Sequence, residues 1–413
     1  MAISIPISWS RPQRLIFRFL FAYCGLFMLS NQSVVSGWIM PLWERLLMMV
    51  APLLGFDLDT SVTESGSGDG LFNYLMVATL LSVSVLIAAL WSLLDHRTAY
   101  GRLLQFLVVA LRYYLVFQML VYGFAKVGYA QFPAPGYHRL IQPIGDASPM
   151  GLLWTFMGFS YGYNLFTGGA ELLGGLLLLF RRTTTLGALV TFGVMANVMA
   201  LNFFYDVPVK LLSTHLVLFS LLLLLLDGKR LLQLFFFNKS TQAVPLPDLF
   251  DHRWYKTGKI ILKAIILIAP AALLFTLTRR SDSGRQSSAH LQGLYQTEIV
   301  VENGDTLAHP SLSEKAGWPY WALEPDGRLA IQWEGRNTSF YHIESDSVSR
   351  QIIFPDEAPL DTVRYEMQEN ARVWFNTVRG KDTLSWCASR RQRKDFLLNN
   401  RGFRFINETP YNR

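Results

Sequence analysis

Residues 71–94 read LFNYLMVATLLSVSVLIAALWSLL, a run without a single charged side chain. A helix needs roughly 20 mostly apolar residues to cross a bilayer, so this stretch predicts a membrane span. Two further stretches, Leu103–Ala125 and Val207–Leu226, have a similar length and composition. The chain is therefore expected to be an integral membrane protein with an α-helical bundle.

The same criterion predicts seven spans before residue 281. They cover residues 14–34, 71–94, 103–126, 162–180, 183–203, 207–226 and 260–278. The segment 38–56, between the first two spans, carries Glu44 and Arg45 and is too short to cross. We expect it to form an interfacial half-helix, with Trp38 and Trp43 at the level of the headgroups.

The distribution of Lys and Arg predicts the orientation, because cytoplasmic loops are richer in these residues. With the N-terminus in the cytoplasm, the cytoplasmic ends of the spans carry 14 of them and the outer ends carry 6. No cleavable signal peptide is recognisable, so we expect the first span to be an uncleaved anchor. Seven spans then place residues 281–413 outside the cytoplasm, beyond an inner or plasma membrane.

Charge is divided between the two parts of the chain. Residues 1–280 hold 21 Lys and Arg against 12 Asp and Glu, whereas residues 281–413 hold 16 against 18. The basic pI therefore reflects membrane topology and anionic lipid, and it gives no support for nucleic-acid binding. The two cysteines, Cys24 and Cys387, fall in different parts and are not expected to pair or to form a metal or redox site.

The C-terminal part alternates β-branched and aromatic residues with turn residues, among them Asn303-Gly304. The predicted strands are Gly293–Val301, Gly317–Leu323, Arg328–Trp333, Ser339–Glu344, Ser349–Phe354, Thr362–Gln368, Arg372–Val378, Thr383–Ala388, Phe396–Leu398 and Gly402–Ile406. Short strands at this spacing favour an antiparallel barrel or sandwich, lipocalin-like in outline, with its interior filled by side chains or holding one small apolar ligand. We expect four segments: N-terminal spans (1–100), a four-helix core (101–227), a cytoplasmic loop with the seventh span (228–280) and an extracytoplasmic β domain (281–413).

The fourth predicted span reads LFTGGAELLGGLLLLFRR over residues 165–182. An intramembrane Glu followed by Gly-Gly and an apolar run to a basic end resembles the DoxX family of membrane proteins, over roughly residues 105–226. Arg112-Tyr-Tyr and Tyr122-Gly-Phe-Ala-Lys126 are similar, more distantly, to the HTTM domain of vitamin-K-dependent carboxylases. The DoxX resemblance implies a four-helix membrane core and, as in some relatives, a role as a quinone-linked oxidoreductase subunit or as the partner of a redox enzyme.

Three ionisable side chains fall inside the predicted spans, where charge is costly and marks candidate functional residues. Glu171 and Arg112 each lie nine residues from the predicted cytoplasmic end of their span, and His215 lies eleven from its own, so all three are expected at a similar depth. We expect Arg112 to pair with Glu171, and the three side chains to form the polar floor of a cavity that relays protons. The alternative is an ion pair that only fixes the register of two helices.

A second polar layer is expected near the outer surface. The candidate ligand-binding residues are Asn164, Lys126, Asp206, Lys210 and Asn197. Asp206 lies one helical turn before Lys210 and is its expected partner. The Pro-rich loop of residues 131–151 resembles a lid over such a site.

The sequence lacks a nucleotide-binding loop, a zinc-protease motif and a Cys-x-x-Cys pair. A redox function would need a diffusible cofactor such as a quinone, or a partner protein that supplies electrons. The leading hypothesis is a membrane redox component that works on or with a lipophilic carrier. The alternative is a non-catalytic scaffold or lipid-binding protein whose β domain recruits a partner; a transporter is disfavoured because no internal repeat is evident.

Overall fold

The computed structural model forms two compact units, and each is built from two separate stretches of the chain. The helical unit comprises Met1–Gln131 and Tyr161–Leu274, and the barrel unit comprises Phe132–Ser160 and Phe275–Arg413. The structure describes residues 8–31, 33–58, 67–241, 257–258, 260–272, 276, 289–307, 318–324, 327–332, 338–354, 362–368, 371–379 and 381–400.

Nine of the described helices belong to the helical unit and three to the barrel unit. The first nine are α1 Arg11–Ser30, α2 Ser33–Val50, α3 Leu71–Leu94, α4 Gly101–Val127, α7 Tyr161–Leu179, α8 Thr184–Phe204, α9 Lys210–Leu226, α10 Gly228–Phe235 and α11 Ile260–Ala272. The other three are α5 Tyr137–Ile141, α6 Pro149–Phe159 and α12 Leu397–Asn400. Local sequence explains the helix starts. Ser10 caps α1 and Ser148 caps α6, and a proline lies in the first turn of each helix (Pro12 and Pro149), where no amide donor is needed.

The prediction of membrane-spanning helices is confirmed in its general form. Among the described residues, four helical stretches are long and apolar enough to cross a bilayer: Arg11–Ser30, Leu71–Leu94, Gly101–Val127 and Arg181–Phe204. A fifth is added if α9 and α10, which meet at a bend of 77°, count as one broken span. The predicted number of seven spans stays a prediction.

Loop contacts show that consecutive long helices run in opposite directions. At one end of the helical unit, the Trp9 amide donates to the Thr98 carbonyl (2.9 Å), which joins the start of α1 to the loop between α3 and α4. At the same end, Thr185 donates to Asp227 (2.7 Å), which joins the start of α8 to the end of α9. We call this the basic end, because Arg14, Arg18, Arg97, Arg102, Arg181, Arg182 and Arg230 lie there.

The opposite end is held by Asp69, which precedes α3. Its carboxylate accepts hydrogen bonds from the amides of Lys210 (2.7 Å) and Leu211 (3.0 Å) and so caps the N-terminus of α9. The Gly68 amide donates to the Pro208 carbonyl in the same place (2.9 Å). Both α3 and α9 therefore start at this end, as helices of alternating direction require. Between the two ends the interior is aliphatic, with Leu80, Leu115, Leu120 and Leu223 fully buried.

The sheet of the barrel unit is antiparallel and nearly closed, as the strand pattern predicted. Its strands are β1 Gly293–Glu302, β2 Asp305–Thr306, β3 Tyr320–Leu323, β4 Arg328–Gln332, β5 Thr338–His342, β6 Glu344–Asp346, β7 Gln351–Ile353, β8 Thr362–Met367, β9 Arg372–Arg379 and β10 Asp382–Arg391. The order is β5-β4-β3-β1-β10-β9-β8-β7-β6, with β2 paired to β1. The outermost strands β5 and β6 are separated in the chain by Ile343 alone, so the chain itself joins the two edges.

Aromatic rings pack inside this sheet. Tyr295 stacks on Trp321 with ring centroids 4.2 Å apart, and Phe375 stacks on Trp386 at 5.3 Å. Trp318 is buried against Trp386 and Trp321. Burial of such large side chains supplies most of the hydrophobic stabilisation that a small barrel needs.

The strand predictions need two corrections. Residues 396–398 do not form a strand: the chain turns at Arg393–Asp395 and enters the short helix α12. The predicted strand Ser339–Glu344 is interrupted at Ile343 and contributes to both β5 and β6. The Asn303-Gly304 turn is confirmed, with positive φ at both residues (52° and 90°), as a tight hairpin between β1 and β2 requires. The predicted strand at residues 402–406 lies outside the described residues.

The expected lid belongs to the barrel unit, which the sequence did not predict. The helix α5 lies in the insertion between α4 and α7, and its first turn is held by Glu324, which follows β3. The amides of Tyr137 and His138 each donate to the Glu324 carboxylate at 2.9 Å, and Nδ1 of His138 lies 2.6 Å from it. The side chain of Tyr137 packs in a cluster with Leu294, Ala322 and Ala330 of the sheet and with Phe396, which follows the last strand.

Candidate functional site

The main buried charge in the helical unit is an ion pair between α4 and α7. Lys126, in the last turn of α4, donates from Nζ to Oε1 of Glu171, in the middle of α7. The two side chains are 6% and 2% exposed. An unpaired buried charge of either sign strongly destabilises a fold, so Lys126 and Glu171 each compensate the charge of the other.

Glycines allow the two helices to approach closely enough for this contact. A Cβ atom added at Gly168 would lie 2.8 Å from Cβ of Lys126 and 2.9 Å from the Gly123 carbonyl oxygen. A Cβ atom added at Gly123 would lie 3.0 Å from the Gly168 carbonyl oxygen. All three distances are shorter than ordinary contacts, so neither glycine position tolerates a larger residue without displacement of a helix. The Gly-Gly motif around Glu171 therefore sets the spacing of the site.

The two carboxylate oxygens of Glu171 differ in their environment. Oε1 accepts from Lys126, whereas Oε2 is buried and has no hydrogen-bond partner among the described residues. An unsatisfied buried acceptor costs free energy of about 1–3 kcal/mol, and more for a charged group. Asn164, two turns earlier on the same face of α7, is fully buried, and Tyr122 lies close enough to interact electrostatically with Glu171. The site thus offers a cation, an open acceptor and neighbouring polar groups.

The expected pairing of Arg112 with Glu171 is wrong. The antiparallel contacts of α4 with α7 bring Lys126 to Gly168 and Met119 to Gly175, so paired positions have numbers that sum to about 294. This register places Arg112 level with residues 179–182, roughly 12–16 Å along the helix axis from Glu171. The prediction failed because it measured each depth from the end of a span, whereas α4 begins well beyond the end of α7.

His215 belongs to a different contact region. Its Nδ1 donates to the Leu211 carbonyl (2.7 Å), so Nε2 is the acceptor for the hydroxyl of Tyr23 on α1 (2.6 Å). Its ring also stacks on Phe27, with centroids 3.7 Å apart. Both ring nitrogens are thus engaged within the chain, as is typical of a structural histidine. No described contact joins His215 to Glu171 or Arg112, and its catalytic role stays a prediction.

The expected outer layer is only partly assembled. Lys210 pairs with Asp206 at 2.8 Å, which confirms that prediction, and it also approaches Asp69 at 3.8 Å. Asn197 on α8 is exposed and has no described contact with the Lys126–Glu171 pair. Ligand binding by Asp206, Lys210 and Asn197 stays a prediction. Among the described residues, no group of three His, Cys, Asp or Glu side chains is arranged to hold a metal ion.

Two contacts were not anticipated from the sequence. Lys126 was assigned to the outer layer, although its position three residues after Gly123 places it at the close approach of α4 and α7. Tyr23 was not considered, because nothing in the first span marks it as the partner of a residue almost two hundred positions later. Small-residue spacing could have revealed the first contact, whereas the second depends on tertiary packing.

An uncharacterized protein of Bacillus subtilis (strain 168), YwoB, is 36% identical to the chain over 126 residues, which is 30% of this chain and 79% of the relative. No model of a known protein family matches the chain. No solved structure matches it either.

Proposed function

The chain belongs to the same family as Bacillus subtilis YwoB, and we propose that it is a membrane component that binds a lipophilic redox carrier of the quinone type. The observation that carries the proposal is the open oxygen of Glu171 beside the Lys126 ammonium. These groups match the two forms of a quinone headgroup. The hydroxyl of a hydroquinone would donate to Oε2 of Glu171, and the carbonyl oxygen of the quinone would accept from Lys126.

The proposed chemistry is proton transfer at the carrier, with electrons supplied by a redox partner protein. Reduction of a quinone to a hydroquinone consumes two electrons and two protons. Glu171 and Lys126 would hold or deliver protons at the headgroup, because both are protonatable and lie within one buried contact. The apolar surfaces of α4 and α7 would accommodate the lipophilic tail. The resemblance to DoxX proteins supports the same class of ligand.

Quinone content tests the proposal. Protein extracted in mild detergent should contain lipid-soluble quinone at close to one molecule per chain, measured by solvent extraction and chromatography. Glu171→Gln combined with Lys126→Met removes both polar contacts and should reduce this content to background. Glu366→Gln changes an exposed carboxylate on β8 and serves as the control. Wild-type protein without quinone would contradict the proposal.

A second candidate function is a non-catalytic scaffold or lipid-binding protein, in which the barrel unit recruits a partner. The bonding of His215 favours it, since both ring nitrogens are engaged in contacts that need no ligand. In this alternative the Lys126–Glu171 pair fixes the register of α4 and α7. Quinone-free wild-type protein that retains a copurifying partner would favour the scaffold.

We also propose that the barrel unit lies outside the cytoplasm and that α11 crosses the membrane. The insertion with α5 follows α4, and the barrel follows α11, yet Glu324 joins them within one compact unit. They must share one aqueous compartment, so an even number of crossings separates them. Helices α7, α8, α9 and α11 provide four. The basic end is the cytoplasmic one by the positive-inside rule.

Protease accessibility tests this orientation. In cells with a permeable outer barrier, added protease should release fragments of residues 289–400 and leave the segment 227–241 intact. Cleavage within 227–241 together with a protected barrel would reverse the orientation. This result is independent of quinone binding.

A further inference from the structure

Arg112 is a buried guanidinium that forms no ion pair with a carboxylate in the described part of the chain. It is 5% exposed, and no described carboxylate forms an ion pair with it. Its guanidinium lies over the ring of its neighbour Tyr113, 5.1 Å from the centroid, and its Nε is buried with no hydrogen-bond partner among the described residues. An uncompensated charge at such a position is strongly destabilising, so a compensating group is required.

Arg18 shows how this protein satisfies a guanidinium of equal burial. It is also 5% exposed, and its nitrogens donate to the Tyr100 hydroxyl (3.0 Å), Ser92 (2.6 Å) and the Asp95 carbonyl (2.7 Å). Arg112 has the same burial, but among the described residues it interacts with the neighbouring Tyr113, and its Nε has no acceptor. An acceptor for Nε is therefore expected from a bound group.

The neighbours of Arg112 are cationic. The register of α4 and α7 places it level with the end of α7, and Arg181 lies close enough to repel it electrostatically. The ammonium of Lys263 on α11 lies over the ring of Phe180, 4.8 Å from its centroid. Phe180 directly precedes Arg181 in the chain. Three cations thus gather where α7 ends at the basic end. An anion bound at Arg112 would also be attracted by the two neighbouring cations.

We propose that Arg112, Arg181 and Lys263 bind the phosphate of an anionic phospholipid. A phosphate oxygen pair matches the fork of a guanidinium, and a lysine adds a point charge. The lipid source is favoured because the site lies on membrane helices, at the end of the unit where basic residues concentrate and headgroups are expected. This inference does not depend on the quinone proposal, which rests on different side chains.

Lipid binding to the full chain tests the proposal. Protein in mild detergent is titrated with dioleoyl phosphatidylglycerol, and bound lipid is counted by native mass spectrometry alongside the shift in unfolding temperature. Arg112→Gln should weaken binding by about tenfold, the loss expected for one charge-assisted bidentate contact. The matched control Arg182→Gln, which alters an exposed arginine beside Arg181, should change it by about twofold at most.

Titrations with two further compounds identify the class of ligand. Dioleoyl phosphatidylcholine, which has a phosphate but no net charge, should bind the wild type at least about fivefold more weakly, the effect of one basic contact at a membrane surface. Inorganic phosphate at millimolar concentration should produce no shift in unfolding temperature. Equal affinity of the two lipids would overturn the proposal even if Arg112→Gln fails to fold, as would unchanged binding by a folded Arg112→Gln protein. A shift with inorganic phosphate alone would overturn the lipid assignment.

Discussion

The molecule contains two glutamates of equal burial that are satisfied in different ways. Glu171 in the helical unit and Glu324 in the barrel unit are each 2% exposed. Glu324 accepts from two backbone amides and contacts His138, so both of its oxygens are used. Glu171 is neutralised by one lysine, and its second oxygen has no donor among the residues that the structure describes.

The contrast separates a structural carboxylate from a candidate functional one. The amides that bind Glu324 cannot move away without unwinding α5. Glu324 therefore forms a rigid structural contact between two parts of the chain. Lys126 reaches Glu171 through a flexible side chain, which can change its hydrogen bond when a ligand arrives. Burial alone does not distinguish the two residues; the number of fixed donors around each carboxylate does.

The largest expected effect comes from unpairing the charge at Glu171. Glu171→Gln leaves the Lys126 ammonium buried without a counter-charge and should reduce the free energy of unfolding by roughly 3–5 kcal/mol. Adding Lys126→Met removes the stranded charge and should recover much of the loss. Unfolding in mixed detergent, followed by circular dichroism, measures both. If the losses of the two single variants simply add in the double variant, the residues are not partners.

Removing the charge at Glu324 should reduce the free energy of unfolding by less than removing that of Glu171, because no buried lysine is left without a counter-charge. Glu324→Gln weakens charge-assisted hydrogen bonds to α5, each worth about 1.5–3 kcal/mol, and we expect a loss of about 2 kcal/mol. Fluorescence of the buried Trp318, Trp321 and Trp386 reports unfolding of the barrel unit. The exposed Glu366→Gln should leave the transition unchanged. A loss as large as that of Glu171→Gln would remove the distinction drawn between the two carboxylates.

Neighbouring glycines on α7 sharpen the comparison further. Gly168→Ala inserts a methyl group against Lys126 and the Gly123 carbonyl and should destabilise the helical unit by about 1–3 kcal/mol. Gly169→Ala meets no atom within 4 Å and should be neutral or slightly stabilising, since alanine favours helix by up to about 1 kcal/mol. We therefore expect changes in stability of opposite sign at these two adjacent positions. Equal effects would mean that close packing does not set the spacing of α4 and α7.

The smallest expected effect is a pH dependence of the barrel unit. Burial, and then the nearby Arg390, lower the pKa of His290, whose Nε2 lies 2.6 Å from the Tyr365 hydroxyl. A histidine with a lowered pKa favours the folded state when neutral. Its contribution is therefore lost as pH falls through the unfolded value of about 6.5. Unfolding of the barrel unit at pH 7.5 and 5 should show a drop in stability that is smaller in His290→Gln than in the wild type.

The sequence predicts the elements of this fold better than their contacts. Apolar length and the alternation of strand residues locate the long helices and most strands, because these patterns follow from local burial. The Asn303-Gly304 hairpin was predictable for the same reason. The break of the predicted strand at Ile343 and the helix at Leu397–Asn400 were not, since they depend on where the sheet ends.

The sequence correctly identified Glu171 as a buried charge of the candidate site, but it predicted the wrong partner for it. Glu171 stands out because a carboxylate in an apolar run is costly, whatever it contacts. Its partner depends on the axial offset of α4 and α7, which the paired glycines determine. Equal distances from span ends suggested Arg112, but helices of unequal length do not end at the same level.

The attachment of α5 to Glu324 has a consequence for biosynthesis. A ribosome completes residues 132–160 well before it reaches Glu324, and three or more helices must be inserted in between. During that interval the amides of Tyr137 and His138 and the apolar side of α5 lack the surface that later covers them. The nascent insertion is therefore uncovered until the barrel has been synthesised, so the last third of the chain must be complete before α5 can reach its final environment.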